Sequence, residues 1–308
     1  MSANIHIDDL AAELDDALSL LTEYRTRDNA LMPAEPLPSL LEECRTLCAE
    51  FTGPEPVRSL HHFACTGGTL VSKCIAALPN VVLLSEIDPL SRLGAPSPRQ
   101  QPHFAPTNLF LPLLQSLHGI DERVVVEAFQ AAIKATCAGL ARHGQQLVLR
   151  DHAHSQFCTD VDPDSRPSLY DMLHDSHPVH ALVTVRHPLD SFISLDKNGW
   201  RHFQPFTLQE YSRRYMGFLD RHEGLPLLKY EDFVGDPTAG LQKICTILQL
   251  PFHGLAFDLI PAIALSGDSG RSDAVIAPRP RQAVPEAIAE QRGATDYLLL
   301  CRRLDYDP

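Results

Sequence analysis

The stretch HHFACTGGTLVSKCIAALPNV, residues 61–81, joins a short apolar run, a Gly-Gly turn and a helical run. The helical run ends at Pro79, because proline lacks the backbone N–H that a helix interior needs. A glycine turn between a strand and a helix directs several backbone N–H groups at one point, and the positive end of the helix dipole adds to them. The stretch therefore predicts a strand–turn–helix unit that binds an anion.

Short apolar runs alternate with helical runs through most of the chain. Strands are predicted at 59–65, 81–84, 146–150, 180–185 and 226–229. Helices are predicted at 69–78, 122–142, 189–198, 207–222, 238–249 and 285–303. Because helices separate short β-branched strands, the pattern predicts an α/β fold, a three-layer sandwich with a mostly parallel central sheet.

The N-terminal part has a different pattern. Leucines recur at helical spacing within 7–27, and a Pro-rich joint at 32–38 separates this run from a second helical run at 40–51. We therefore predict a helical extension over residues 1–55 and an α/β domain over 56–308. The extension is a candidate contact for a homodimer.

Composition excludes several classes of protein. The 308 residues carry a net charge of −13, which argues against a nucleic-acid or anionic-membrane binder. No apolar run is expected to span a membrane, and the acidic N-terminus is unlike a secretory signal. None of the eight cysteines forms a Cys-x-x-Cys pair, so reduced thiols in a cytoplasmic protein are expected.

Two further segments add features of a nucleotide site. In VRHPLDSFIS, residues 185–194, Arg186 ends an apolar strand, and Ser194 follows in the first turns of a helix that begins at Pro188. Arg186 and Ser194 are therefore close enough to contact one phosphate. The alternative is an arginine that only ends a strand and a serine on a solvated face. Farther on, Tyr230 ends a strand, and an amphipathic helix follows that stops before Pro251.

In this order the three segments resemble the sulfotransferases that use 3′-phosphoadenosine 5′-phosphosulfate (PAPS), whose fold is like that of P-loop NTPases. The resemblance covers about residues 59–285. It implies that Arg186 and Ser194 bind the 3′-phosphate and that Tyr230 helps to frame the nucleotide. It also implies that the 5′-phosphosulfate binds to Thr66, Gly67, Gly68, Thr69 and Leu70.

Many members of this family add a late basic loop to the 3′-phosphate site. Arg271 matches that loop best, and Arg279 and Arg281 are alternatives. A flexible basic loop without a ligand is the simpler interpretation of the same residues.

The chain departs from the family at the turn. Thr66 stands where the family has a lysine, and Val71 stands where many members have an aromatic residue that stacks on adenine. Lys73 is a full turn inside the helix and is not expected to reach the anion. Because in-line group transfer depends on stabilising charge at the leaving oxygen, another cation should compensate. The candidates are Arg150, which we favour, with His152, His61 and His62.

The general base has two candidates. In LVLRDHAHSQF, residues 147–157, Arg150 and His152 match a Lys-x-His pattern whose histidine is the base in many sulfotransferases. A histidine that titrates near neutral pH suits proton abstraction from a hydroxyl. Glu86 is the rival, because a glutamate from this region is the base in other branches. The sequence does not decide between His152 and Glu86.

The expected function is transfer of a sulfuryl group from PAPS to a hydroxyl or amine of a small-molecule or glycan acceptor, with 3′-phosphoadenosine 5′-phosphate (PAP) as product. The acceptor pocket is expected in variable loops that contain Phe104, Phe110, Phe157, Trp200 and Phe203. A partly apolar acceptor would fit these residues.

Three alternatives remain from the sequence. A non-catalytic PAP-binding module would explain the missing lysine. A P-loop kinase-like phosphotransferase would need that lysine and a Mg²⁺-binding pair, and neither is evident. A metal-dependent hydrolase would use Asp151, His152 and His154, but these have no evident distant co-ligands, so no metal site is predicted.

Overall fold

The computed structural model describes residues 15–19, 55–93, 106–265 and 276–308. The chain divides into two units, Met1–Pro54 and Glu55–Pro308. In the first unit the described residues, 15–19, are helical. Most of the two predicted N-terminal helices lies outside the described residues, so the helical extension and its boundary stay predictions.

The second unit is built on a five-stranded sheet in which every neighbouring pair of strands is parallel. The strands are β1 Val57–His62, β2 Val81–Ile87, β3 Gln146–Asp151, β4 Val179–Val185 and β5 Leu227–Lys229. Their order across the sheet is β2-β3-β1-β4-β5. The predicted α/β fold with a mostly parallel sheet is confirmed.

Helices connect and cover the strands. They are α1 Gly68–Ala76, α2 Phe110–Leu114, α3 Glu122–Ala141, α4 His154–Phe157, α5 Leu169–His174, α6 Pro188–Lys197, α7 Leu208–Arg221, α8 Tyr230–Gly235, α9 Pro237–Leu248, α10 Ala256–Leu259, α11 Glu286–Ala289 and α12 Thr295–Leu304. Short 3-10 turns lie at Pro163–Ser165, Ile260–Ala262 and Glu290–Gly293.

Alternate side chains of β3 pack into the core clusters on the two faces of the sheet. Leu147 and Leu149 are buried with Phe129 of α3, whereas Val148 is buried in a separate cluster with Val71 of α1. Successive side chains of a strand point to opposite faces of the sheet, so one strand contributes to both layers. This two-sided burial accounts for the apolar runs in β3 and β4, whereas β1, VRSLHH, also buries polar side chains.

The helix α3 bears on the expectation that no segment spans a membrane. It is long and apolar enough to cross a membrane by length and composition, although no such segment was expected. Its residues Val125, Phe129, Ile133 and Cys137 recur every four positions and are buried. Phe129, Ile133 and Cys137 belong to the core cluster on one face of the sheet, so this side of the helix belongs to the folded unit.

The topology places the functional segments at one edge. Strand β1 is central, and the chain leaves it for α1, while β3 and β4 flank it on either side. In a parallel sheet the carboxyl ends of all strands meet at the same edge, and ligands bind where neighbouring connections diverge. The residues that follow β1, β2, β3 and β4 are therefore brought together there.

We predict that Gly68→Ala destabilises the fold. A Cβ at Gly68 would lie 2.3 Å from both Cγ and Cδ2 of His62, whose ring Nε2 accepts a hydrogen bond from Arg150. Overpacking of this kind costs about 1–3 kcal/mol of unfolding free energy. Urea denaturation followed by circular dichroism measures it.

Gly217→Ala is the matched control. Gly217 lies within α7, and a Cβ there would have no atom within 4 Å. An alanine in a helix interior should raise the unfolding free energy by about 0.5–1 kcal/mol. Equal effects of the two substitutions would contradict the close packing of His62 on the turn.

Candidate active site

A cleft of about 810 Å³ opens at the carboxyl edge of the sheet. It is lined by all the predicted site residues that the structure describes: Thr66, Gly67, Gly68, Thr69, Leu70, Glu86, Arg150, His152, Arg186, Ser194 and Tyr230. Arg271 lies outside the described residues. Arg279 and Arg281, the alternatives to Arg271, line the cleft, and Arg281 forms an ion pair with Asp190 at 3.1 Å.

The glycine turn has the geometry that an anion site requires. Gly67 has φ of +88°, a left-handed conformation that glycine adopts without strain. A Cβ at Gly67 would lie 2.2 Å from Cδ2 of Tyr230, so the tyrosine ring packs directly on the turn. Gly67 is the N-cap of α1 and offers no side chain to cap the first N–H groups. A helix start without a side-chain cap is a favourable place for an anion.

Thr66 does not take the place of a lysine. Its hydroxyl donates a hydrogen bond of 2.8 Å to the carbonyl of Phe63, and the residue is fully buried. Thr66 therefore orders the turn from inside and brings no charge to the cleft.

Arg150 links the turn to the neighbouring strand ends. Its Nε donates to Nε2 of His62 at 2.9 Å, and one terminal nitrogen donates to Oγ1 of Thr69 at 2.9 Å. The other terminal nitrogen lies 2.9 Å from Oγ of Ser85 and 2.8 Å from Oε1 of Glu86. The residue is only 3% exposed. A fixed cation thus lies beside the first residues of α1.

The two histidines of β1 are not cations of the cleft. Nδ1 of His62 lies 3.3 Å from the carbonyl of Phe63, so it donates there, and Nε2 accepts from Arg150. Burial and the Arg150 guanidinium hold the pKa of His62 well below its usual value, so the ring is neutral. His61 is not among the cleft residues, and burial lowers its pKa to about 3. The expectation that either supplies positive charge is wrong.

The rival bases lie in contact with each other. Oε2 of Glu86 is 3.1 Å from Nε2 of His152. Glu86 has φ of +59°, and the pairing of β2 with β3 shifts register between Leu84 and Ile87. Such an irregularity redirects side chains at the end of a strand. Glu86 is thereby placed between Arg150 and His152.

The predicted 3′-phosphate residues are also brought together. One terminal nitrogen of Arg186 lies 3.3 Å from Oγ of Ser194 and 3.3 Å from the carbonyl of Cys65. The Arg186 guanidinium lies 5.0 Å from the centroid of the Tyr230 ring, within the range of a cation–π contact. Arg186, Ser194 and Tyr230 thus form a second polar group on the opposite side of the glycine turn from Arg150.

Sequence reasoning missed two neighbours of the cleft. Lys73 lines the cleft, although its position inside α1 had suggested that it lies too far along the helix. Its spacing of four residues from Thr69, which puts both on one helix face, was the signal that could have located it. Glu231 was missed as well. It accepts from the backbone N–H of His187 at 3.0 Å and from the hydroxyl of Tyr306 at 2.7 Å, and it ties the chain end to the cleft wall.

Most of the described residues that were predicted for the acceptor pocket do not line the cleft. Phe157 and Phe203 belong to the main core cluster, and Phe110 packs at 6.2 Å from Phe129, measured between ring centroids. Phe104 lies outside the described residues. Trp200 does line the cleft. The predictions for Phe110, Phe157 and Phe203 fail because large aromatic residues outside the strands also pack in or against the core.

Two histidines accompany Trp200. The ring of His154 lies 5.9 Å from that of Trp200 and 5.3 Å from that of His202. Burial lowers the pKa of His154 to about 3, so this ring is neutral at physiological pH. The wall beside His152 is therefore aromatic and polar but carries no fixed charge from His154.

The triplet that suggested a hydrolase does not form a single site. Oδ2 of Asp151 lies 2.8 Å from Nδ1 of His61, away from the cleft, whereas Nε2 of His152 faces Glu86. Although Asp151 and His152 are consecutive in sequence, His152 lines the cleft and Asp151 does not.

Comparison with known proteins agrees with this architecture. A protein-family model described as "Sulfotransferase family" matches residues 63–254. No curated protein is significantly similar to the chain.

The chain is also similar to solved structures of sulfotransferases. A sulfotransferase domain from the olefin synthase of Synechococcus PCC 7002 is 20% identical, with a TM-score of 0.45 over 83% of this chain and 96% of that one. A sulfotransferase domain from the curacin biosynthetic pathway is 15% identical, with a TM-score of 0.48 over 83% and 99% of the two chains. The mouse sulfotransferase SULT7A1, complexed with PAP, is 13% identical, with a TM-score of 0.34 over 83% and 84%.

The family match extends from the end of β1 to the residues after α9, and it includes the glycine turn, the Arg150 cluster and the Arg186–Ser194 pair. On this match the chain belongs to the sulfotransferase family.

Proposed function

We propose that the protein transfers a sulfuryl group from PAPS to a hydroxyl of a small-molecule acceptor. One observation carries the proposal: the glycine turn lies between two separate cationic groups in one cleft. Arg186 with Ser194 lies on one side, and Arg150 lies on the other. A nucleotide with phosphates at both its 3′ and 5′ positions needs such a pair of anion sites.

The 5′-phosphosulfate would bind at the start of α1. The N–H groups of the first helical turn and the helix dipole favour an anion there. Tyr230 packs on Gly67 and also lies under the Arg186 guanidinium, so its ring links the two anion sites. The 3′-phosphate would then contact Arg186 and Ser194, which already lie 3.3 Å apart.

Arg150 would supply the charge that the loop lysine supplies elsewhere. Arginine stays protonated at any working pH and can donate to two oxygens at once. Its bond to Oγ1 of Thr69 puts the guanidinium at the turn, where the bridging oxygen of PAPS would lie. Charge that develops on this oxygen during transfer would be stabilised by a group that is already in position.

Glu86 and His152 would act as a pair. Glu86 accepts at both oxygens, from Arg150 and from His152. If Nε2–H of His152 donates to Glu86, then Nδ1 carries the lone pair and can take the proton of the acceptor hydroxyl. His152 would be the general base, and Glu86 would be a positioning residue that fixes the tautomer and orientation of the ring.

We predict that Arg186→Ala weakens PAP binding about tenfold or more, because a charge-assisted contact to phosphate contributes roughly 1.5–3 kcal/mol. AMP, which lacks the 3′-phosphate, should bind wild type and variant alike. Isothermal titration calorimetry with both nucleotides measures the difference.

Arg142→Ala, at an exposed position after α3, is the matched control and should leave the affinity for PAP unchanged. Equal loss of PAP and AMP affinity in Arg186→Ala would remove the 3′-phosphate assignment. A protein that binds PAP but never turns over PAPS would instead be the non-catalytic binding module.

We predict that His152→Ala lowers kcat by roughly 10²–10⁴, the range for loss of a general base. Glu86→Gln should lower kcat less, since it removes the carboxylate that orients the ring and pairs with Arg150 but leaves the base itself in place. Both variants should keep their affinity for PAP. Labelled PAPS with a panel of phenols and alcohols gives the rates, and calorimetry gives the affinity.

His143→Ala, which removes an exposed histidine near the end of α3, controls for a general effect of histidine loss. A larger loss in Glu86→Gln than in His152→Ala would make Glu86 the base. Near-normal turnover in both would place the base elsewhere in the cleft.

A further inference from the structure

A second cluster of ionisable side chains lies outside the cleft, among residues that do not line it. It comprises His61 from β1, Asp151 from β3 and His222, which follows α7. All three residues are buried, and His222 is only 2% exposed. The mechanism proposed above does not use any of them.

The three side chains converge on one point. Each offers one ligand atom, and these atoms all lie within 4.8 Å of one another. Nδ1 of His61 is 2.8 Å from Oδ2 of Asp151, and the ring centroids of His61 and His222 are 4.6 Å apart. Among the described residues this is the one such group of potential metal ligands.

In both His61 and His222, the ring nitrogen that is not counted as a ligand atom has a hydrogen-bond partner that fixes the orientation of the ring. Nδ1 of His222 lies 2.8 Å from the carbonyl of Phe218, which can only accept, so Nδ1 carries the proton. Nε2 of His61 is 2.9 Å from Oγ of Ser59. Histidines that bind metals are held in this way, with the nitrogen away from the metal donating to a carbonyl or another oxygen.

The tautomer of His222 leaves a buried lone pair on Nε2. Because Nδ1 holds the proton, Nε2 carries a lone pair, and this buried atom has no hydrogen-bond partner. A buried polar atom without a partner is unfavourable, because it has lost its hydrogen bonds to water. A metal ion between His222, His61 and Asp151 would satisfy it.

We propose that His61, Asp151 and His222 bind one divalent transition-metal ion. Two imidazoles and a carboxylate are nitrogen and oxygen donors of the set that Zn²⁺ accepts. Around a tetrahedral Zn²⁺, ligand atoms lie about 3.3 Å apart, given bonds of about 2.0–2.1 Å. The side chains would therefore close around the ion, which replaces the proton shared by His61 and Asp151.

The site would stabilise the edge of the sheet that carries the cleft. His61 precedes His62, and Asp151 follows Arg150, so two of the three ligands adjoin residues that hydrogen-bond in the cleft. A metal ion would join the ends of β1 and β3 to the end of α7. Its role is structural, since the ion would lie behind the strands and not among the reacting groups.

The test is the metal content and thermal stability of the untagged full-length protein. The protein is unfolded with a chelator, refolded with Zn²⁺ or Co²⁺, dialysed and analysed by mass spectrometry. We expect about one ion per chain, a higher melting temperature than in metal-free protein, and d–d absorption of Co²⁺ in a nitrogen–oxygen site.

His222→Phe should lose the ion, whereas His174→Phe should retain it. His174 is exposed and stacks on Tyr170 beside the cluster, but it is not a ligand. If His222→Phe does not fold, Asp151→Asn is used as the variant that lacks one ligand. The proposal would be overturned if the wild-type protein held less than about 0.1 metal ion per chain, or the same metal content as His222→Phe. The cluster would then be only a hydrogen-bonded chain of Ser59, His61 and Asp151.

Discussion

The buried guanidinium of Arg150 is the interaction on which the rest of the cleft depends. A buried charge is tolerated only when it is paired and hydrogen-bonded, and removal of one partner is strongly destabilising. Arg150 meets this condition through His62 on β1, Thr69 on α1, and Ser85 and Glu86 on β2. Four separate elements, counting β3 itself, are therefore held in one arrangement by one side chain.

The contacts of Arg150 also position the two candidate bases. Glu86 is held by Arg150 at one oxygen, so its second oxygen is fixed towards His152. The neutral ring of His62 accepts from Arg150 and packs on Gly68, where no larger residue fits. Thr66 stands where the resemblance leads us to expect a lysine, and a rigid cation from the adjacent strand lies beside the turn, whose backbone groups would bind an anion in our proposal.

The sequence predicted the fold and most of the cleft because both depend on local signals. Glycine turns, strand ends and a proline at the start of a helix mark where the chain reverses, and parallel strands bring those points to one edge. The contact between Glu86 and His152 was not predictable, since it depends on a register shift in β2. The sequence also could not show which of His61 and His62 points towards the cleft. Consecutive residues of a strand point to opposite faces of the sheet, and the sequence does not say which face adjoins the cleft.

The most direct measurement is the turnover of Arg150→Ala with and without Thr66→Lys in the same chain, using labelled PAPS. If Arg150 supplies the missing charge, Arg150→Ala should lower kcat about 10²-fold, as for loss of a transition-state donor. A lysine placed at position 66 should restore part of that rate. An unchanged kcat in Arg150→Ala would contradict the account, and so would a low kcat that Thr66→Lys does not raise although the variant remains folded and binds PAP.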